Sequence, residues 1–210
     1  ASERLVRTLD ALSDQAILPG WSVRLIISDD GSIENIAPII HRYAWSNPWL
    51  APLVLLHSHE GRSATRNRAV DSATADIILF LADDIILRPR ALQEHLRFHE
   101  EYPEATHAAL GCIVWDPTTR ITPFMEWMMH GGQQNNYDAI AGKVTCNPEH
   151  YFYGSFVSIK RAFLGDIRFS EKFSEYGWED LELGRRLKEK GLQLFVLHDA
   201  LALHRHIYSA

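Results

Sequence analysis

The sequence is poor in several features that mark particular protein classes. Only two of its 210 residues are cysteines, Cys112 and Cys146, and they form neither a CxxC motif nor a disulfide framework. The formal net charge of −6 leaves no basic excess to neutralise the phosphates of a nucleic acid. No apolar run is long enough to cross a bilayer, and the first residues follow a helical pattern rather than that of a signal peptide. We therefore expect a cytoplasmic protein with no nucleic-acid partner and no transmembrane segment, with peripheral membrane contact left open.

Short apolar runs alternate with amphipathic helical segments over the first half of the chain. This alternation is typical of βαβ units and predicts an α/β fold with a mostly parallel sheet flanked by helices. From Asp116 to His150 the alternation is lost, and the polar segment Gly131–Lys143 is predicted to be an irregular, mobile lid. The predicted strands of the first half are Val23–Ser28, Pro52–His57, Asp76–Leu81 and Ala108–Trp115.

Two adjacent acids interrupt the apolar run DIILFLADDIIL. Asp83 and Asp84 would be costly to bury without partners, so a turn or a function must explain them. A plain turn would more often contain Gly, Asn or Pro. Carboxylates at a strand end are suitable ligands for Mg²⁺ or Mn²⁺, and in parallel sheets the chemistry collects at that end. We interpret the pair as a strand end that carries a metal ligand.

Two further motifs follow predicted strands in the first half. Asp29 and Asp30, in the stretch DDGS, form either a simple turn with a helix cap or a contact to a nucleoside. Arg66 lies in the arginine-rich stretch GRSATRNRAV, which is either a solvated helix face or a site where guanidinium groups meet a diphosphate. The motifs alone leave both choices open.

The second half adds a third acidic pair and two histidines. Glu179 and Asp180 begin a predicted helix, where acids stabilise the helix dipole but where one could also act as a general base toward a hydroxyl. His204 and His206 close the last apolar segment. Either imidazole is an ordinary side chain or it completes a metal site with Asp84.

Taken in order, six stretches resemble those of the GT-A-fold glycosyltransferases of the large inverting family 2. They are IISDDGS, GRSATRNRA, FLADDI, YGSFVSIKR, GWEDLELGRRL and LALHRH. The resemblance implies one GT-A domain over 1–210, with a nucleotide-sugar-binding half over 1–115 and an acceptor-binding and catalytic half over 116–210. It also implies a nucleotide-sugar donor, usually a UDP-sugar, a divalent cation, Mn²⁺ or Mg²⁺, and a carbohydrate or other hydroxyl acceptor, as in cell-envelope polysaccharide synthesis.

The resemblance assigns a role to individual positions of this chain. Asp180 would be the catalytic base, and Glu179 would hold the acceptor. The remaining roles are nucleotide contact for Asp29, Asp30, Arg66 and Asp83, metal binding for Asp84 and His204, and lining of the acceptor side for Trp178, Gly154 and Ser155.

The chain also departs from the family pattern. Ala82 stands where a third acid is often found, and Ser155 where the family has asparagine. An apolar strand that normally comes first is not seen, which predicts a gap within the sheet and suggests that the natural protein is longer. Two rival functions remain, a sugar nucleotidyltransferase and a nucleotide-sugar-binding module without activity. The donor sugar and the acceptor are not predicted.

Overall fold

The computed structural model describes residues 2–46, 52–132, 136–173 and 177–206. The strands are β1 (Ile26–Asp30), β2 (Leu53–His57), β3 (Ile77–Leu81), β4 (Ile85–Leu87), β5 (His107–Trp115), β6 (Thr145–Cys146), β7 (Phe156–Lys160) and β8 (Gln193–His204). The helices are α1 (Ser2–Ser13), α2 (Ala37–Ser46), α3 (Arg62–Ser72), α4 (Ala91–Glu101), α5 (Pro123–Met129), α6 (Pro148–Tyr151), α7 (Arg161–Leu164) and α8 (Glu179–Glu189). No helix within these ranges combines the length and apolarity that a membrane span requires.

The main sheet has mixed strand directions, which corrects the expectation of a mostly parallel sheet. Its order is β3-β7-β5-β8-β4, and the short strand β6 pairs with β8. Among the described residues, β5 and β8 are the only adjacent strands of this sheet that pair in parallel, and β7 is antiparallel to both of its neighbours. An apolar run indicates a strand that is buried on both faces, but it carries no information about the direction of its neighbours. The α/β character itself is as predicted.

The predicted gap in the sheet is present. Strands β1 and β2 form a separate parallel pair, and β3 is the outermost strand of the main sheet. No other described strand pairs with the second edge of β1 or of β3. Both strands line one cleft of about 1040 Å³, and every residue of β1 is half-buried.

The centre of the main sheet is tightly packed. Phe156 of β7 is fully buried against Gly111 of β5, where a Cβ atom would lie only 2.2 Å from the Phe156 ring. Helix α8 covers the core with Leu183 and Leu187, both fully buried. Any larger residue at Gly111 would displace the ring, so this packing fixes how β5 and β7 meet.

The segment Gly131–Lys143 is irregular, as predicted, but it is not detached from the fold. Its described part contains a 3₁₀ helix at Asp138–Ile140, and Tyr137 and Ile140 are buried in the core. Residues 133–135 lie outside the described residues. The mobility of this segment and its role as a lid stay predictions.

A chain of buried polar groups connects α4 with β7. The hydroxyl oxygen of Ser158 lies 2.8 Å from His95 Nδ1 and 2.8 Å from His99 Nε2. The Lys160 ammonium approaches His99 Nδ1 at 3.0 Å and donates to the Tyr102 carbonyl at 2.7 Å. Burial lowers the pKa of both histidines to about 3, so both rings are neutral at pH 7.

Candidate active site

Every site residue predicted from the sequence lines the same cleft. The cleft opens where β1 and β3 end, and the loop before β7, the start of α8 and the end of β8 reach it as well. The predicted residues that line it are Asp29, Asp30, Arg66, Asp83, Asp84, Gly154, Ser155, Trp178, Glu179, Asp180 and His204. Residues up to 175 positions apart are therefore brought together, as expected for the carboxyl ends of sheet strands.

The acids Asp83 and Asp84 lie in the turn between β3 and β4. Strand β3 ends at Leu81, and the N–H of Ile85 donates to the Ala82 carbonyl at 3.3 Å to close the turn. The Asp83 side chain is 54% exposed and that of Asp84 only 17% exposed. The apolar run is thus broken by the end of a strand, and the two carboxylates that line the cleft differ in solvent exposure.

Cationic and imidazole groups surround the Asp84 carboxylate. Its Oδ2 atom lies 3.5 Å from His204 Nε2, 3.7 Å from His206 Nδ1 and 4.0 Å from Arg4 Nη1. Burial alone would raise the pKa of Asp84. The hydrogen bond and charge of His204, together with the charges of His206 and Arg4, outweigh this effect and lower the pKa. Stacking of Trp115 on the His204 ring, with centroids 4.9 Å apart, holds that imidazole in place.

The groups around Asp84 suit a divalent cation only if a ligand contributes further donors. A carboxylate oxygen and an imidazole nitrogen are appropriate for Mn²⁺. Within the described ranges, however, no cluster of three or more His, Cys, Asp or Glu side chains is arranged to hold an ion by itself. The donor set therefore fits an open site at Asp84 and His204, in which phosphate oxygens would supply the missing ligands.

The carboxylates of Asp29 and Asp30 are engaged in loop contacts. Asp29 Oδ1 accepts hydrogen bonds from the backbone N–H and the hydroxyl of Ser32, at 3.2 and 2.5 Å. Asp30 accepts from the backbone N–H groups of Glu60 and Gly61, and His59 Nδ1 lies 2.8 Å from it. Each carboxylate can still accept further hydrogen bonds, so both remain able to contact a nucleoside. That contact stays a prediction.

A third set of contacts joins α3 to the start of α8. Arg66 Nη1 donates to Glu179 Oε1 at 2.7 Å, and the Glu179 side chain is only 4% exposed. The N–H of Gly154 donates to Asp180 Oδ2 at 3.1 Å, and the N–H of Leu181 donates to Oδ1 at 2.8 Å. The structure thus places the acid pair, the arginine and the loop before β7 in direct contact.

The pKa of Asp180 is raised above its ordinary value. Burial contributes most, and the adjacent charge of Glu179 adds to it. Arg66 and the two backbone N–H donors lower the pKa, but they do not outweigh the first two causes. A carboxylate with a raised pKa accepts a proton more readily than an ordinary aspartate, which is a property that a general base needs. The role of Asp180 as the base stays a prediction.

The residues predicted for the acceptor side line the cleft but differ in their exposure. Trp178 has a positive φ of 73° and its side chain is 52% exposed, directly before the first turn of α8. Gly154 is buried, and Ser155 is half-buried. Their role toward an acceptor stays a prediction.

One group near the site was not predicted. Arg4 of α1 reaches both acids after β3, with Nε 3.8 Å from Asp83 Oδ2. In the sequence this arginine is one polar residue on an amphipathic helix, with no local motif that connects it to residues eighty positions away. His206, which the sequence left as an alternative to His204, also lies beside Asp84.

Comparison with protein families gives a match to "Glycosyl transferase family 2" over residues 1–168. The chain belongs to glycosyl transferase family 2. No curated protein matches the sequence. The matched range contains the first four of the six motifs, whereas Glu179, Asp180 and His204 lie beyond it.

Two solved structures share the fold at low sequence identity. The structure of TarS 1–349 from S. aureus in complex with UDP-GlcNAc has a TM-score of 0.71 and 17% identity, covering 99% of this chain and 57% of that chain. The mannosyltransferase PcManGT from Pyrobaculum calidifontis, in complex with GDP-Man and Mn²⁺, has a TM-score of 0.69 and 16% identity, covering 97% and 53%. The chain thus spans little more than half the length of these two solved chains, and 34% of a longer TarS chain. Its GT-A fold is confirmed.

Proposed function

We propose that this family 2 domain transfers a sugar from a nucleotide diphosphate sugar, a UDP-sugar, to an acceptor hydroxyl, with inversion at the anomeric carbon. The observation that carries the proposal is the position of Asp180, a partly buried carboxylate with a raised pKa, in the same cleft as Asp84 and Arg66. The two solved relatives, TarS and PcManGT, have bound UDP-GlcNAc and GDP-Man respectively.

The residues of the cleft divide into a donor side and an acceptor side. On the donor side, Asp29, Asp30 and Asp83 would contact the nucleoside, and the Arg66 guanidinium would donate to diphosphate oxygens. This assignment makes residues 1–115 the nucleotide-sugar-binding half. Trp178, Gly154 and Ser155 would line the acceptor side within residues 116–210.

A divalent cation, Mn²⁺ or Mg²⁺, would be held by Asp84 and His204. When bound, it would offset the negative charge of the departing diphosphate. The lowered pKa of Asp84 keeps its carboxylate ionised at neutral pH, which is the form that a cation requires.

The chemical step is a single displacement. Asp180 accepts the proton of the acceptor hydroxyl, the hydroxyl oxygen forms the new bond to the anomeric carbon, and the bond to the diphosphate breaks on the opposite face. The bonding electrons leave with the nucleoside diphosphate, and Arg66 stabilises the charge that develops there. One side chain, Asp180, is therefore sufficient as the base for the whole step.

The experiment measures nucleotide release from UDP-GlcNAc and from GDP-mannose, with Mn²⁺ and after chelation, beside the Asp180→Asn variant. We expect nucleoside diphosphate from the wild-type protein and a strong loss in the variant. Release of pyrophosphate from a nucleoside triphosphate would instead favour a nucleotidyltransferase. If UDP stabilises the protein but no nucleotide is released from any donor, the result would favour a nucleotide-sugar-binding module without activity.

A further inference from the structure

The ion pair between Arg66 and Glu179 connects the two halves of the cleft. The two residues are 113 positions apart, and their side chains are 21% and 4% exposed. A buried ion pair contributes little net stability, because the desolvation of both charges offsets their attraction. The location of this pair directly beside Asp180 therefore calls for a different explanation from stability alone.

Three contacts fix the Arg66 guanidinium in its position. Glu179 accepts its hydrogen bond, the ring of Phe169 lies 5.2 Å from its Cζ atom, and the backbone of Gly154 borders it. A Cβ atom at Gly154 would lie 3.2 Å from Arg66 Cζ, so a side chain larger than that of glycine would crowd the guanidinium. Asn67 anchors Phe169 by hydrogen bonds to its backbone N–H and carbonyl, at 2.8 and 3.0 Å. Contacts with Glu179, Phe169 and Gly154 therefore hold the guanidinium in place.

Two charged groups of opposite sign set the electrostatic environment of Asp180 among the described residues. Glu179 is its neighbour in the chain, and Arg66 faces it from α3. The nearby hydroxyls of Tyr137 and Tyr153 stay neutral, because burial raises the pKa of both. The second oxygen of Glu179, Oε2, is buried and has no hydrogen-bond partner in the described part of the chain. The compensation of the Glu179 charge therefore depends on Arg66.

We propose that Arg66 and Glu179 form a positioning pair that couples the donor to the base. While the donor is absent, Arg66 compensates the charge of Glu179. When the donor is bound, its diphosphate oxygens accept hydrogen bonds from the same guanidinium. Asp180 then experiences more of the negative charge of Glu179 and becomes a stronger base when the donor is in place. This inference rests on the proposed function, since it takes the ligand of Arg66 to be a diphosphate. It gives Glu179 a role through Arg66 that does not require contact with the acceptor.

Carbon-13 NMR of protein labelled at the aspartate carboxyls tests the inference without any turnover. The Asp180 signal is assigned by its absence in Asp180→Asn, and its pKa is measured in each variant. Without ligand, Glu179→Gln should lower the pKa of Asp180 and Arg66→Gln should raise it, each by about one pH unit, the effect of a neighbouring charge. Shifts of opposite sign would show that both charges act on Asp180, whereas a pair whose charges do not reach Asp180 would shift its pKa in neither variant.

The same measurement with bound UDP then tests the coupling between the donor and Asp180. Saturating UDP with Mg²⁺ should raise the pKa of Asp180 more in the wild-type protein than in Arg66→Gln, where only the direct repulsion by the diphosphate remains. Gly154→Ala keeps the N–H that donates to Asp180 but crowds the guanidinium, so it should raise the ligand-free pKa by less than Arg66→Gln does. Glu182→Gln is the matched control on the same helix, since Glu182 pairs with Arg186, and it should change nothing.

The outcomes separate this inference from the proposed function. Shifts of the same sign in Glu179→Gln and Arg66→Gln, or an equal rise with UDP in wild type and Arg66→Gln, would overturn the coupling. The comparison without ligand decides the role of the pair even if Arg66→Gln binds UDP poorly. Nucleotide release by the wild-type protein decides the proposed function independently of these pKa values.

Discussion

Asp84 and Asp180 each belong to a pair of adjacent acids that lines the same cleft, but the groups around the two carboxyls differ in charge. Asp84 has two imidazoles and the Arg4 guanidinium within 4.0 Å, and its pKa is lowered. Burial and the charge of Glu179 raise the pKa of Asp180, and Arg66 compensates only in part. One carboxyl is therefore suited to stay ionised and the other to accept a proton.

The difference does not come from the local sequence. Both carboxyls have another acid next to them in the chain, and burial acts on both in the same direction. What differs is the partners that the fold brings from elsewhere: α1 and the end of β8 for Asp84, and α3 for Asp180. Such divergent environments for neighbouring carboxylates are a common way of assigning separate chemical roles within one site.

The largest expected effect is on turnover in Asp180→Asn. The amide cannot accept the acceptor proton, so the turnover rate should fall by roughly 10²–10⁴-fold while the affinity for UDP is kept. The measurement combines the kinetics of nucleotide release with calorimetric titration of UDP. If Glu179→Gln abolishes turnover and Asp180→Asn does not, the roles of the two acids are exchanged. If neither matters, the pair only stabilises the start of α8, a contribution of about 0.3–1 kcal/mol.

The next effect is the metal response of Asp84→Asn. UDP should stabilise the wild-type fold more strongly with Mn²⁺ than without it, because a ligand that binds only the native state raises its stability. The variant should lose this gain, with Mn²⁺ affinity reduced at least about tenfold. Asp83→Asn, at the more exposed neighbour, serves as the control and should weaken nucleotide binding while it keeps the metal response. An unchanged response in Asp84→Asn would contradict the assignment of the metal ligand.

The sequence predicted the parts of the fold that depend on local patterns. The apolar runs that become β2, β3 and β5 were identified, as was the break in the run at Asp83 and Asp84. The first strand was predicted at Val23–Ser28, but β1 spans Ile26–Asp30, so Asp29 and Asp30 end the strand instead of following it. Strand direction was predicted wrongly, because β7 inserts between β3 and β5 from a distant part of the chain. Periodicity reports which faces are buried, and pairing partners depend on contacts that no local window contains.

The site follows the same rule. The acidic pairs and the arginine-rich helix were recognised because their residues are adjacent in the chain. The approach of Arg4 to the acids after β3 and the contact of Arg66 with Glu179 join distant positions and were not predicted. The chain from His95 through Ser158 to His99 was not predicted either, because each of these histidines alone is an ordinary core or surface residue.

A smaller effect, of opposite sign at the two acids, should appear in stability. A group whose pKa differs between the folded and the unfolded protein makes the folding free energy depend on pH. The lowered pKa of Asp84 stabilises the fold above pH 3.8, and this contribution is lost as the pH falls through the folded-state value. The raised pKa of Asp180 has the reverse effect: its favourable contribution is present below pH 3.8 and is lost as the pH rises through the folded-state value.

At pH 7, Asp84→Asn should therefore lower the free energy of unfolding, and Asp180→Asn should raise it. The asparagine at position 180 still offers an oxygen to the Gly154 N–H. Urea denaturation at pH 7 and near pH 3 measures both changes, and the gain of Asp180→Asn should disappear in acid. Destabilisation of the two variants by equal amounts at pH 7 would show that the two environments do not differ as the structure indicates.

The smallest expected effect concerns Arg4, the arginine of α1 that lies beside the acids after β3. The side chain is 44% exposed and its distances of 3.8 and 4.0 Å to the two carboxylates are long, so the pairs contribute at most about 1 kcal/mol. Arg4→Gln should strengthen Mn²⁺ binding by a few-fold, because a competing positive charge is removed from beside Asp84. Calorimetric titration of Mn²⁺ in the presence of UDP measures the change, and Arg7→Gln, which removes an arginine paired with Glu3 on the same helix, is the control. Weaker Mn²⁺ binding in Arg4→Gln alone would mean that Arg4 assists the diphosphate instead of competing with the cation.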